Sequence, residues 1–555
     1  MNEIKLKIPL GIDDYRVVSK ECYYVDKTLL IKDIVSLPEE SVTLFTRPRR
    51  FGKSLAISML STFFDEKIDN AAQYFERRKI SHEPEYALLS SCPVIVLSLK
   101  DIRAATFSAM KEQIKDVIRR EYARHDELIS TSILDDNDAS YYKAILSGSV
   151  EDTMLSQSLF RLTSMLHQCR GKKVCLFIDE YDTPIQCGYE NGFYDEAIAF
   201  FRNFFGSALK GNTHLKTAVL TGILRIAKES LFSDLNNPTV DNGFDSAFSE
   251  NFGFTRDEAM ALCDYFEAAH PFEQLWAWYG GYCFSGELVM NPWSILSYFR
   301  FKKVLKEYWV NTSSVSLLSE LMGEEGFVFS SLLGKLLNGE SIVAKPVFSV
   351  SYADLSRSQD HFLGFLMSTG YLTCSIESEN QIVLPNKETS FAIAKEVLER
   401  YRANQSPISW LSIKQSIINA DTEAFSALLK RVLLRSFSYF DFHQERSYQA
   451  MALTLVSLLF EDCIVKSEVM EGEGRCDILI QPRFAGEFGA VIEIKHVKNK
   501  TSLSRLQDRA KSALKQIKEK EYAEDLFFAD AKPILAYGIA FYQKSVVVEV
   551  EYLKR

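Results

Sequence analysis

Short apolar runs recur through the first half of the chain, at Val42–Phe45, Val94–Leu99, Val174–Ile178 and Thr217–Leu220. A run of this length without polar alternation is what a strand buried on both faces of a parallel sheet requires. Between the runs the apolar positions fall at helical spacing, as in Leu55, Met59, Leu60, Phe63 and Phe64. Strands and helices alternating in this way predict a doubly wound α/β domain that ends near residue 255. A lead-in segment, residues 1–40, carries Tyr23-Tyr24-Val25-Asp26-Lys27-Thr28 and then an amphipathic helix pattern through Leu29, Leu30, Ile34 and Val35.

The rhythm changes at about residue 256. From there to 340 the pattern reads as helical and aromatic, with Trp276, Trp278, Tyr279, Tyr282, Trp293 and Trp309, punctuated by Gly280-Gly281 and Asn291-Pro292. We read it as a helical lid subdomain. Residues 341–435 form a connector: a helix through Phe362, Leu363, Phe365 and Leu366, then Gly370–Thr373 and Gln381–Leu384 as a two-stranded wing, then further helix. A small winged-helix unit and a purely structural link both fit that order. Residues 436–555 make a last domain. A helix pattern from Glu445 to Phe460 precedes a turn and strand, Gly474 to Ile480, and a second strand, Ala490 to Lys495.

Composition narrows the class. With 555 residues, 47% hydrophobic and 25% charged, the chain has the make-up of several ordinary globular domains. Its formal net charge of −10 excludes a global basic field, so any nucleic-acid site must be a local patch. Ten cysteines are scattered without a Cys-x-x-Cys pair, and Cys175, Cys374 and Cys463 lie within apolar runs. That is cysteine as a small core hydrophobe in a reducing compartment. The N-terminus lacks secretory character, and the longest apolar stretch, Met451 to Phe460, is too short to span a bilayer. A cytoplasmic protein without a membrane partner is the expectation.

Chemistry enters at Thr46-Arg47-Pro48-Arg49-Arg50-Phe51-Gly52-Lys53-Ser54, between an apolar run and a helix pattern. Strand, tight loop and helix is the setting in which Gly-Lys-Ser holds a triphosphate. Backbone N–H groups face the phosphates, Lys53 supplies a point charge and the Ser54 hydroxyl ligates Mg²⁺. The loop residues Arg49, Arg50, Phe51, Gly52, Lys53, Ser54 and Leu55 are therefore the candidate ATP-binding set. Arg47 stands where such loops usually have their first glycine. Downstream, Val174–Ile178 ends in Asp179-Glu180, and the carboxyl end of a parallel strand is where an α/β sheet places its ligand. Asp179 can share the Mg²⁺ with Ser54, and Glu180 can polarise the attacking water. Thr221, at the end of a later strand, is placed to sense the γ-phosphate, as is Arg225; a plain helix cap is the structural alternative for the threonine.

A second constellation lies in the last hundred residues. Glu493 and Lys495 share a face because strands alternate, and Asp477 begins the neighbouring strand. Two carboxylates and one ammonium meeting at one spot suit metal-assisted phosphodiester hydrolysis. Oxygen ligands hold Mg²⁺ or Mn²⁺, and the lysine positions or deprotonates the nucleophile. Between Lys495 and Lys520 nine basic residues stand against Asp508 and Glu519. That local patch is what a phosphate backbone needs in an acidic protein.

The chain resembles the bacterial AAA-ATPase-like family whose members carry a C-terminal nuclease-like domain of the PD-(D/E)xK superfamily. The likeness rests on Tyr24–Thr28, the Thr46–Ser54 loop, Ile178–Asp182, Thr221–Ile226, Trp278–Tyr282, Asn291–Ser294 and Leu384–Glu388. It implies an additional-strand P-loop ATPase with a helical lid and connector, followed by a PD-(D/E)xK α/β nuclease domain. It also implies that Asp477, Glu493 and Lys495 are the nuclease core. Glu445 resembles the extra acidic ligand, and Gln516 with Tyr522 the helix motif of some nuclease branches. Cys476 stands where the superfamily name has Pro.

The resulting expectation is an ATPase and metal-dependent nuclease. The ATPase set is Lys53, Ser54, Asp179, Glu180 and Thr221. The nuclease set is Glu445, Asp477, Glu493, Lys495 and Gln516, with Ser54, Asp179, Glu445, Asp477 and Glu493 as metal ligands. ATP and Mg²⁺ are the cofactors, with Mn²⁺ an option at the nuclease site. Nucleic acid, DNA before RNA, is the partner, and defence or mobile-element biology is a setting this reading allows. A homo-oligomer with an arginine supplied in trans is open, with Arg202, Arg225 and Arg256 as candidates. Two other readings stand beside it: a nucleotide-switch scaffold that binds without cutting, and a DNA-translocating motor with an accessory nuclease.

Overall fold

Strand β1 (Ser41–Thr46), helix α1 (Lys53–Phe64), and strands β2 (Val94–Ser98), β3 (Val174–Asp179), β4 (Leu215–Gly222) and β5 (Thr239–Asp241) form the heart of the N-terminal half. The computed structural model describes residues 6–130, 134–226, 239–244, 248–309, 332, 335–337, 339–350, 358–403, 407–435, 445–460, 462–471, 474–499 and 501–554. The five strands are parallel and ordered β2-β3-β4-β1-β5. Strand β4 thus lies between the strand that feeds the Lys53 loop and the strand that ends in Asp179. This is the additional-strand order. All six residues of β3 are buried, which explains why its sequence is continuously apolar. One face of the sheet packs Phe45, Phe177 and Val219 against Ile57, Leu60, Phe63 and Phe64, so α1 and the loop before it are fixed to the sheet by core packing.

The aromatic stretch after residue 256 is not wholly helical. A hairpin, Tyr282–Phe284 with Glu287–Met290, joins Phe254–Thr255 in a three-stranded sheet. Its two-residue turn is Ser285-Gly286, both at positive φ (47° and 85°), the geometry that matches hairpin twist. The Ser-Gly signal was present in the sequence, but the aromatic density around it obscured it.

Packing divides the chain into two units: Met1–Phe266 with Tyr282–Leu296 and Lys345–Gly370, and Glu267–Gly281 with Ser297–Ala344 and Tyr371–Arg555. The first holds the parallel sheet. The second holds α2 (Glu445–Leu459), β6 (Ile464–Glu471), β7 (Gly474–Gln481), β8 (Gly489–His496), α3 (Leu503–Glu519), β9 (Ile534–Tyr542) and β10 (Ser545–Tyr552). Their sheet runs β6-β7-β8-β9-β10, with β8 and β9 parallel and the other pairs antiparallel. The parallel step β8-α3-β9 lays α3 across the sheet, and Gly538 permits it: a Cβ there would strike the Ala510 carbonyl. Also in this unit, Thr373–Ser375 and Ser378–Val383 form the hairpin expected of the wing, extended by Ile342–Val343. No described helix is long and apolar enough to cross a membrane.

Candidate active sites

The Lys53 loop closes β1 into α1 through two left-handed residues, Arg50 (φ 70°) and Gly52 (φ 92°). Gly52 caps α1 without a side chain in the way. The Lys53 ammonium turns back on the loop and donates to the carbonyls of Arg47 (2.7 Å) and Pro48 (2.9 Å). It is only 6% exposed, and burial pushes its pKa down to about 8 against the pull of Glu180, Asp182 and Asp179. The Phe51 ring packs edge-on against Tyr282 and Phe284 at 5.0 and 5.5 Å. Its backbone N–H, not its ring, is therefore what it can offer a phosphate. Leu55 packs against the α1–sheet core.

Asp179 and Thr221 meet at the carboxyl ends of β3 and β4. The Thr221 hydroxyl donates to Asp179 Oδ1 at 2.6 Å, and burial raises the carboxyl above its ordinary value against the pull of that hydroxyl and of Ser54. Glu180 follows with positive φ (53°) and accepts from the Thr183 hydroxyl at 3.1 Å. Asp182, which closes the Ile178–Asp182 motif but was given no role from sequence, receives the Ile223 and Leu224 N–H groups, both at 2.8 Å. It thereby holds the Thr221-Gly222-Ile223-Leu224 turn against β3. Arg225 is exposed on a two-residue strand, Arg202 lies on the helix Tyr194–Leu209, and Arg256 is exposed at the start of the helix Arg256–Tyr265.

The other quoted motifs brace each unit from within. Asp26 receives the Thr28 N–H and hydroxyl and the Lys79 N–H, while Lys27 ties this segment to Glu258 at 2.6 Å. Asn291 caps the helix Pro292–Arg300 through the Trp293 N–H. Asn386 donates to the Gly280 carbonyl at 2.8 Å, and buried Glu388 accepts the N–H groups of Tyr308 and Trp309.

In the second unit Glu493, Lys495 and Gln516 converge. Glu493 is 3% exposed; its Oε1 accepts from Lys495 Nζ (2.8 Å) and Gln516 Nε2 (2.6 Å), and Gln516 also reaches the Tyr522 hydroxyl. Among the described residues its Oε2 is buried without a hydrogen-bond partner, an acceptor that a cation or a donor would satisfy. Asp477 accepts the Ile494 N–H at 2.7 Å and the Gln449 amide at 2.9 Å. Continuing the β7–β8 register, in which Ile478 faces Ile492, sets Asp477 opposite Glu493. Burial and then the Glu493 charge push Asp477 up to about 8, and burial also raises Glu493. Burial alone would lower Lys495, but the bond to Glu493 and that carboxylate's charge outweigh it and the pKa rises.

Glu445 is exposed at the start of α2 and accepts the His496 N–H at 3.2 Å. Among the described residues no group of three carboxylate, imidazole or thiol side chains is gathered closely enough to hold an ion by itself. Asp477 and Glu493 nevertheless fit a hard cation, because Mg²⁺ is usually held by one or two carboxylates with water and phosphate completing the shell. Sequence reasoning missed Gln449. It lies one helical turn beyond Glu445 on the same face of α2, and that spacing was the available signal.

Residues 9–232 match the family model described as "Predicted AAA-ATPase", and residues 443–551 match that of the PD-(D/E)XK nuclease superfamily. An "Uncharacterized protein in vnfD 5'region" from Azotobacter chroococcum mcd 1 is 25% identical over 412 residues, which cover 71% of this chain and 70% of that protein. The N-terminal region of the present chain thus matches the predicted AAA-ATPase family, and its C-terminal region the PD-(D/E)XK nuclease superfamily.

Proposed function

We propose that the chain binds and hydrolyses ATP at the Lys53 loop and cuts nucleic acid, DNA in the first instance, at the Asp477–Glu493–Lys495 centre. It would act in the cytoplasm, in keeping with ten cysteines that form no disulfide among the described residues. The observation that carries the nuclease reading is the buried, unpartnered Oε2 of Glu493, beside an ammonium that neutralises its other oxygen. A carboxylate is kept in that state where a ligand completes it.

At the first site Lys53 would leave the Arg47 and Pro48 carbonyls for the phosphates, Ser54 and Asp179 would hold the Mg²⁺, and Glu180 would orient the water. Thr221, bonded to Asp179, holds that carboxylate in line. At the second, Asp477 and Glu493 would hold Mg²⁺ or Mn²⁺, with Glu445 reaching it through water. Such an ion, when bound, neutralises the phosphate and lowers the pKa of its water. Lys495 positions the attacking water, Gln449 fixes Asp477, and Gln516 fixes Glu493.

Wild type, Lys53→Ala, Asp477→Ala and Lys495→Ala test this together. Lys53→Ala should lose ATP binding, and Asp477→Ala should lose metal binding and cutting while keeping ATP turnover. Lys495→Ala should bind metal yet cut ~10²-fold more slowly. Calorimetry, gels and phosphate release report the three. Full cutting by Asp477→Ala would sink the nuclease assignment in favour of the nucleotide-switch scaffold.

A further inference from the structure

Helix α3 carries two charged flanks, and they face different ways. Its buried stripe is Leu506, Ala510, Ala513, Leu514 and Ile517. At 3.6 residues per turn, Arg505, Arg509, Ser512 and Gln516 fall within about 60° of arc on one side of that stripe, and Lys511, Lys515 and Lys518 on the other. Hydrogen bonds identify each side. Gln516 donates to Glu493 at 2.6 Å, so the arginine flank faces the carboxylate centre. Gln507, on the lysine side, donates to Glu549 at 2.8 Å, and Lys518 pairs with Glu551. Both glutamates are on edge strand β10, and Lys515 pairs with Glu519. The lysine flank is thus turned to the sheet edge and partly neutralised by glutamates, whereas Arg505 and Arg509 are exposed on the side of the site.

We infer that a nucleic-acid strand leaves the Glu493 centre along the arginine flank of α3, its phosphates meeting Arg509 and then Arg505, while the lysine flank takes no part. This rests on the nuclease reading and says where its substrate lies. At 1.5 Å per residue, Arg509 stands about 10 Å and Arg505 about 16 Å along the axis from Gln516. Both are within reach of one strand held at the site. A guanidinium fork also suits phosphate better than an ammonium does. The Arg-to-Gln changes remove the charge and the guanidinium fork at exposed positions, so the buried stripe that holds α3 is untouched.

The experiment compares wild type, Arg505→Gln with Arg509→Gln, and Lys511→Gln with Lys515→Gln and Lys518→Gln. Binding of a fluorescent oligonucleotide, single-stranded and duplex, is read by anisotropy over a salt series in metal-free buffer. The arginine pair should bind ~10-fold more weakly, with the log–log salt slope reduced by roughly 1.4 on the single strand and 1.8 on the duplex, as two lost phosphate contacts require. The lysine triple should keep the wild-type slope. The reverse pattern, or equal loss in both, overturns the inference and leaves the nuclease reading standing. Wild type that binds neither oligonucleotide overturns it as well, and then the nuclease reading fails with it.

Discussion

Arg47 and Asp241 form an ion pair at 2.7 Å in which neither side chain reaches solvent (0% and 1% exposed). The guanidinium also donates to the Thr46 and Asp241 carbonyls and lies 5.0 Å from the ring centres of Phe252 and Phe284. Arg47 occupies the place of the usual first loop glycine, so the base of this loop is set by a side chain that ties the end of β1 to the end of β5. The Arg47 carbonyl is in turn one of the two that hold Lys53.

Replacing Arg47 by Gly should therefore harm the fold it looks designed to restore. Removing one member of a buried ion pair costs about 3–5 kcal/mol, because the other charge is left desolvated. Arg47→Met together with Asp241→Leu should recover most of that loss. Urea unfolding of the three variants checks it. Stability of Arg47→Gly within about 1 kcal/mol of wild type, a surface-substitution effect, would show that the pair is not what fixes the loop.

Arg50, three residues on, lies over the ring of Trp293 with its guanidinium carbon 4.0 Å from the ring centre. An exposed cation–π contact of this kind contributes about 0.5–1 kcal/mol, less than a triphosphate offers a loop arginine. ATP should draw Arg50 away and change the emission of Trp293. Trp293→Phe should abolish that change, and Arg50→Ala should mimic it without nucleotide. An ATP-dependent signal of full size in Trp293→Phe would assign the reporter to one of the other tryptophans.

What the sequence made legible was what periodicity and local chemistry encode. The runs at Val42, Val94, Val174 and Thr217 became parallel strands because burial, complete along the Val174 run, leaves little polar alternation to misread. Lys53 was legible as the loop-to-helix step after the first of those strands, Asp179 and Thr221 as the ends of two others, and Glu493 with Lys495 as alternate residues of one. Arg47–Asp241 was not, since a partner 194 residues away leaves no local trace. Gln449 was hidden for the same reason, and charge counting over 495–520 could not tell one flank of α3 from the other.

Asp477 offers the sharpest test of the metal site, because its carboxyl works against the fold until a cation arrives. Its folded pKa, about 8, lies above the ordinary 3.8, so the folded chain holds a proton that the unfolded chain has lost. Stability from this group is then full below pH 4 and falls as pH rises toward 8. Asp477→Asn keeps the shape and removes the titration. Without metal the variant should match wild type near pH 4 and exceed it at pH 8 by roughly 1–3 kcal/mol, less than the full shift implies because Glu493 shares the proton. Mg²⁺ should reverse the order, stabilising wild type most at pH 8 and the variant not at all. Denaturation of both proteins at the two pH values, with and without Mg²⁺, reads all of this. Equal Mg²⁺ stabilisation of wild type and Asp477→Asn would remove Asp477 from the ion's ligands.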